Sequence, residues 1–246
     1  MKKRFTNSSN PLISEKALEK HRQIPGDYAE QSMSVRGAVD KSLILACILL
    51  FTSIIGYSAP SNLFMYGGMF GGLALVIFSV FKPQYSAFTA PAYAAVEGLF
   101  VGSVTSYFAM AYDGIVFQAV SLTIAILFTM LFVYKSGLIK VTSKFRTGVI
   151  MATGAIFIVY LASFALSFFG INIPFLHENS MIGIGISLVI IGVASLNLLL
   201  DFDNFDKGEE LGLPKYYEWF FGMGLMITLV WLYIEIIRLL AILNSD

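Results

Sequence analysis

Apolar residues dominate the chain from about residue 41 onward and fall into seven stretches of roughly 20 residues. A helix of that length crosses a hydrocarbon layer of about 30 Å. Proline, glycine and charged residues mark the breaks between the stretches. The pattern therefore predicts seven transmembrane helices, at residues 42–59, 62–81, 86–110, 114–134, 147–170, 180–203 and 217–243.

The beginning of the chain differs from this pattern, because residues 1–40 carry charged and polar side chains without a sustained apolar run. We predict a polar N-terminal tail over residues 1–40 and a single transmembrane domain over residues 41–246. The predicted fold class is an all-α integral membrane protein, and the lipid bilayer is its first partner.

Composition supports a membrane protein, since 57% of the 246 residues are hydrophobic and 13% are charged. Soluble proteins have about 25% charged residues. The net charge of zero does not indicate a nucleic-acid partner. Cys47 is the single cysteine, which excludes an internal disulfide and a multi-cysteine metal site. No organic cofactor is indicated.

Positive charges are distributed unevenly between the two sides of the predicted bundle. Of the 16 Lys and Arg residues, eight lie at or before Lys41, seven lie in the second, fourth and sixth loops, and Arg238 lies inside the last span. The first, third and fifth loops carry none. Loops rich in Lys and Arg stay in the cytoplasm. We therefore predict a cytoplasmic N-terminus and, after seven crossings, a C-terminus outside.

Glycines recur at helical spacing in two of the predicted spans. The second span contains Gly67, Gly68, Gly71 and Gly72, and the third contains Gly98 and Gly102. Such Gly-x-x-x-Gly pairs let helix backbones approach closely in lipid, where no hydrophobic force drives association. Packing within one bundle is the favoured interpretation, and dimerisation or a glycine hinge are the alternatives.

Glu235 is an acid within the strongly apolar residues 229–240. An ionisable side chain near the bilayer centre costs roughly 2.5–3.5 kcal/mol, so such residues usually face the bundle interior or a water-filled cavity. The alternative is that Arg238, three residues later, neutralises it as a local helical pair. Glu97, near the middle of the third span, is either an accessory acid or is satisfied by a neighbouring hydroxyl or by Arg238.

Asp201 is the second candidate, and it closes the sixth apolar stretch. Asn197 and Asn204 lie on the same helical face, so the three residues form a polar stripe. Such a stripe is typical of a water-accessible crevice. An ordinary solvated helix end is the alternative, because Asp203 follows at once.

Two carboxylates brought together in a low-dielectric site titrate as a coupled unit, which allows a proton to be exchanged for a cation. Carboxylate oxygens are also ligands that Ca²⁺ prefers. However, Glu235 lies about 27 Å along a helix that begins at Tyr217. Asp201 and Glu235 meet only if the sixth helix continues past Asp203 and residues 209–219 form an interfacial or re-entrant segment.

An enzyme is not predicted. His21 lies in the tail and His177 in an outer loop, so no span offers a histidine base or metal ligand. The sequence contains no His-Glu-x-x-His motif.

Four segments resemble the Bax inhibitor family. They are SVRGAVDKSL (residues 34–43), EGLFVG (97–102), LNLLLDFDNFDKG (196–208) and LVWLYIEIIRLL (229–240). PKYYEWFFGMGLMITLVWLYIE (214–235) is similar to a bacterial branch of that family. The resemblance extends from about Met33 to the end of the chain.

The resemblance implies a bundle in which six helices surround the last one, in a bacterial inner membrane. It also implies a pH-sensitive passive leak of cations, chiefly Ca²⁺ as the permeant ion, governed by an acidic pair that corresponds to Asp201 and Glu235. Two features depart from the family pattern: the second acid is Glu instead of Asp, and the separation of the two acids along the chain is unusually long.

Two hypotheses of function follow. The first is the pH-gated cation leak channel, which rests on Asp201 and Glu235. The second is a non-conducting regulator of membrane stress or quality control, which acts through a membrane protease or another membrane protein and uses the charged tail.

Overall fold

The computed structural model describes residues 32–167, 169–170 and 181–245. Each predicted apolar span forms a helix, and seven helices in this part of the chain are long and apolar enough to cross a membrane. The helices are α1 (Val35–Ser58), α2 (Asn62–Phe81), α3 (Ser86–Ala111), α4 (Ile115–Ser136), α5 (Ser143–Ser167), α6 (Met181–Glu210) and α7 (Tyr216–Leu243). The predicted fold class is confirmed.

Two helix boundaries differ most from the predicted spans. The first helix begins at Val35 within the predicted tail, most of which lies outside the described residues. The sixth helix continues to Glu210 instead of ending at residue 203. Its last two turns are polar, but Asp203 and Asp206 are bonded to side chains from neighbouring helices, so the polarity does not end the helix.

The last helix, α7, occupies the centre of the bundle. In its most apolar 18-residue window, 67% of the residues are buried inside the protein, whereas the corresponding share in α5 is 6%. Helices α1, α3, α4 and α6 all pack against α7. The central position of the last helix is therefore confirmed.

Glycines bring α3 close to α1 and α2. A Cβ atom on Gly102 would collide with the backbone of Ser53 and Tyr57 in α1, and a Cβ on Gly98 would collide with the Thr52 side chain. Gly68 and Gly72 of α2 face α3 with similarly little room, and Gly71 also faces it. Gly67 has only its own helix neighbour Leu63 within 4 Å. Five of the six candidate glycines thus lie at contacts within one bundle.

Two glutamates satisfy the N-terminal amides of α1. Glu218, which is 2% exposed, accepts a hydrogen bond from the Ser34 backbone N–H at 3.1 Å. Glu209 accepts one from the Val35 N–H at 3.1 Å, and Ser34 Oγ accepts one from Gly37 N–H at 2.9 Å. Helix N-termini carry orphan N–H groups and partial positive charge, so they attract carboxylates. These contacts fix α1 to the α6–α7 connection.

We expect Glu218→Ala to lower the free energy of unfolding by about 1–3 kcal/mol, because the partly buried N–H and hydroxyl of Ser34 lose their acceptor. Thermal unfolding of the detergent-solubilised protein measures the change. Glu210→Ala is the matched control, since Glu210 is exposed at the end of α6. Equal unfolding temperatures for the two variants would contradict a capping role.

Candidate functional site

Asp201 lies on α6 beside the central helix. Its Oδ1 is 3.8 Å from the position that a Cβ on Gly224 would occupy, and the nearby Thr228 hydroxyl of α7 donates to the Gly224 carbonyl at 3.3 Å. The other carboxylate oxygen, Oδ2, is buried and has no hydrogen-bond partner in the part of the chain that the structure describes. The absence of a side chain at Gly224 leaves room for the carboxyl group. Asp201 is therefore an incompletely satisfied acid inside the bundle, and not a solvated helix end.

Glu235 lies in a network that joins three helices. Its side chain is buried, and Oε1 accepts a hydrogen bond from the Tyr160 hydroxyl of α5. Its Oε2 pairs with Arg238 Nη2 at 2.9 Å. Arg238 also donates to Ser187 Oγ of α6 at 3.3 Å, and its guanidinium carbon lies 5.7 Å from the centre of the Tyr160 ring. The structure thus shows the local ion pair that was one interpretation of Glu235.

The two candidate acids are not brought together. Asp201 lies about 14 Å before the end of α6 at Glu210, and Glu235 lies about 28 Å after the start of α7 at Tyr216. Because these helix ends are joined by a short connection, the acids differ in depth by about 15 Å. No hydrogen bond or ion pair joins them in the described part of the chain. Residues 209–219 form no re-entrant segment, since α7 is continuous from Tyr216.

Acidic residues at the end of α6 are neutralised by bases. Asp203 Oδ2 pairs with Arg146 Nη2 at 2.5 Å and with Lys207 Nζ at 2.6 Å. Arg146 Nη1 also donates to Asn204 Oδ1 at 2.9 Å. The Tyr134 hydroxyl of α4 donates to Asp206 Oδ2 at 2.5 Å. These bonds tie α4, α5 and α6 together at the end of the bundle that carries most of the Lys and Arg residues, which we call the basic end.

Three polar side chains attach α5 to the bundle, and they are seven residues apart. Arg146 binds Asp203 and Asn204, Thr153 Oγ1 accepts from Asn197 Nδ2 at 2.8 Å, and Tyr160 binds Glu235. Seven residues are about two helical turns, so all three lie on one face. We call Arg146, Thr153 and Tyr160 the α5 polar row.

The α5 polar row was not predicted, although its seven-residue spacing is visible in the sequence. It also changes the interpretation of the polar stripe on α6. Asn197 and Asn204 bind side chains of α5 and do not line an open crevice, whereas Asp201 faces α7.

Glu97 lies between α2 and α3, whereas the α5 polar row binds side chains of α6 and α7. Its carboxylate occupies the space that a Cβ on Gly72 would need. The buried Tyr93 is one turn earlier on the same helix. Arg238 does not reach Glu97, because it is paired with Glu235. Glu97 is therefore separate from both candidate acids.

No group of three or more His, Cys, Asp or Glu side chains converges on a metal position among the described residues. Asp201 and Glu235 are two single carboxylates at different depths. Such carboxylates can bind a passing cation together with water or backbone oxygens, but neither forms a complete cage for a resident ion.

A family model matches nearly the whole chain. The family model described as Bax inhibitor 1 like matches residues 10–245 of the chain. A search of curated proteins found no match. The family match includes all seven helices and every candidate site residue.

Proposed function

The chain belongs to the Bax inhibitor 1 like family of multi-pass membrane proteins, and from this premise we propose that it is a passive leak pathway for cations, chiefly Ca²⁺. In this proposal Asp201 is the carboxylate that binds the passing ion. Protonation of Asp201 removes its charge and closes the pathway.

The observation that carries the proposal is the state of Asp201. One oxygen of this carboxyl group is buried without a hydrogen-bond partner among the described residues, beside a glycine and a threonine of the central helix. A charge inside the membrane costs roughly 2.5–3.5 kcal/mol, so such residues are rare and usually functional. A bound cation is the missing partner of the ionised Asp201 carboxylate. A bound proton instead neutralises the carboxyl group, so that no cation is needed.

Glu235 has a different role in the proposed pathway. Its charge is already balanced by Arg238, and Tyr160 donates to its other oxygen. A cation that leaves Asp201 towards the opposite end of α7 meets this network after about 15 Å. Glu235 is thus a second position on the route, and its charge is controlled by Arg238 and Tyr160 independently of Asp201. The ion pair of Arg146 with Asp203 closes the route at the basic end.

The orientation follows from the same charges. Lys and Arg residues gather at the basic end, where the α2–α3, α4–α5 and α6–α7 connections lie. The positive-inside rule therefore supports a cytoplasmic N-terminus. We place the protein in a bacterial inner membrane, which follows from the likeness of residues 214–235 to the bacterial branch.

Ca²⁺ entry into dye-loaded liposomes across pH 5–8 tests the proposal. We expect purified protein to raise the rate above that of protein-free liposomes, and the increase should be larger at pH 8 than at pH 5. The reason is that an ionised carboxylate binds Ca²⁺, whereas a protonated one does not. Mock-reconstituted liposomes correct for detergent-induced leakage.

Absence of flux at every pH in this range would overturn the proposal. The non-conducting regulator, which acts through a membrane protease or another membrane protein, would then be the better account of the chain.

A further inference from the structure

An apolar cleft separates α5 from α6 in the half of the bundle away from the basic end. Its volume is about 440 Å³. The lining residues are Ala155, Ile156, Val159, Tyr160, Ile182, Gly185, Ile186, Val189 and Ile190. Among the described residues, nothing lies within 4 Å of a Cβ placed on Gly185. The described residues thus leave a space between two membrane helices.

The mouth of the cleft opens to the hydrocarbon of the bilayer. The lining residues Val159, Ile182 and Val189 are 45%, 67% and 65% exposed. A volume of about 440 Å³ would hold no more than about one turn of a transmembrane helix, which has a diameter of about 10–12 Å with its side chains and a pitch of about 5.4 Å. An acyl chain fits this volume and this apolar lining, and a partner helix does not.

A cation lies next to the inner wall of the cleft. The guanidinium of Arg238 lies over the ring of Tyr160, which lines the cleft. Arg238 Nε is buried and has no hydrogen-bond partner within the described ranges, and 23% of the Arg238 side chain is exposed. Among the described residues, Arg238 is the only Lys or Arg away from the basic end. It combines a positive charge, shared with Glu235, with a buried N–H donor that is not yet satisfied.

The depth of Arg238 matches the level of lipid headgroups. It lies 22 residues after Tyr216, or about 33 Å from the start of α7, while the hydrocarbon core is about 30 Å thick. The guanidinium therefore lies near the membrane surface opposite the basic end. The cleft extends from this level towards the bilayer centre.

We propose that an anionic phospholipid of this leaflet binds here, with one acyl chain in the α5–α6 cleft and its phosphate on Arg238. The guanidinium fork matches a phosphate group geometrically, and charge-assisted hydrogen bonds are about twice as strong as neutral ones. The phosphate shares Arg238 with Glu235, so the bound lipid contacts the network around the central helix. This site does not depend on the proposed ion leak.

Photocrosslinking tests the site directly. The full-length protein is reconstituted in nanodiscs that contain phosphatidylglycerol with a diazirine in the middle of one acyl chain, and crosslinked peptides are mapped by mass spectrometry. We expect crosslinks to concentrate on residues 155–160 and 182–190. Helix α4 is the internal reference, since Phe128 and Phe132 are also exposed to lipid.

Variants separate the acyl-chain contact from the headgroup contact. Gly185→Leu fills the cleft and should lower crosslinking there by about tenfold, equivalent to about 1.4 kcal/mol of binding. Gly192→Leu is the matched control, because Gly192 also has free space but does not line the cleft. Ala155→Leu fills the cleft from α5 if Gly185→Leu does not fold. Arg238→Gln should remove the preference for phosphatidylglycerol over a phosphatidylcholine probe.

Three outcomes would overturn the proposal. Equal crosslinking of α4, α5 and α6 would indicate only the ordinary lipid shell. Equal effects of Gly185→Leu and Gly192→Leu would exclude the cleft. Crosslinking by a diazirine fatty acid but not by the phosphatidylglycerol probe would assign the site to free fatty acids.

Discussion

Asp201→Asn should reduce Ca²⁺ flux at pH 8 by about tenfold or more and flatten its dependence on pH. Two unit charges 4 Å apart interact by about 4 kcal/mol at an effective dielectric constant of about 20, and asparagine removes this attraction. Asparagine is nearly isosteric with aspartate, so the space beside Gly224 stays filled. Stopped-flow measurement of dye-loaded liposomes gives the initial rate at each pH.

The double variant of Asp201→Asn with Glu235→Gln tests whether the acids act together. The two side chains differ in depth by about 15 Å and share no bonding partner. Their effects on the activation free energy, calculated from the logarithm of the rate, should therefore add to within about 0.5 kcal/mol. Asp113→Asn, an exposed change in the α3–α4 turn, is the control for loss of one acidic charge. A double variant no worse than either single variant would show instead that the acids form one coupled gate.

Gly102→Ala should be among the most destabilising single-methyl changes in the protein. The added Cβ would collide with the carbonyl oxygen of Ser53 and lie 2.7 Å from the amide nitrogen of Tyr57. Both are backbone atoms, so relief requires α1 and α3 to separate. We expect a loss of about 3 kcal/mol or more, at the upper end of overpacking effects. The unfolding temperature in detergent and the folded yield on size-exclusion chromatography report the change.

Gly154→Ala is the matched control for this prediction. Nothing lies within 4 Å of a Cβ on Gly154, which is in the middle of α5. This variant should be as stable as the original protein or more stable by up to about 1 kcal/mol, because alanine favours helix. Similar losses for both alanine variants would show that close α1–α3 packing does not limit stability.

Hydropathy predicts the helices well here because the bilayer demands about 20 apolar residues from each span wherever it lies in the bundle. The end of α6 is the informative exception. Residues 201–210 have too many charges for a membrane segment in isolation, yet Arg146 and Tyr134 arrive from other helices and bind them. The end of α6 therefore depends on side chains from other helices, and the composition of residues 201–210 alone does not reveal them.

The candidate site likewise contains some contacts that the sequence could predict and others that it could not. The pairing of Glu235 with Arg238 is local, at three residues along one helix, and was among the interpretations that the sequence allowed. The contacts of Asp201 depend on the register of α6 against α7, which is set by packing along their whole length. Tyr160 and Thr153 have no distinguishing local pattern apart from their spacing from Arg146, so only the structure shows what they bind.

The α5 polar row has a consequence for how this helix is retained. Of the described α5 side chains, Val149 alone is buried, and lipid contacts offer no hydrophobic force that would hold α5 against its neighbours. Its attachment therefore depends on hydrogen bonds and charges whose strength increases as water is excluded. Helix α5 is attached most strongly in a thick, dry bilayer and most weakly in a thin or hydrated one. The lipid environment itself therefore changes the strength with which α5 is attached to the rest of the bundle.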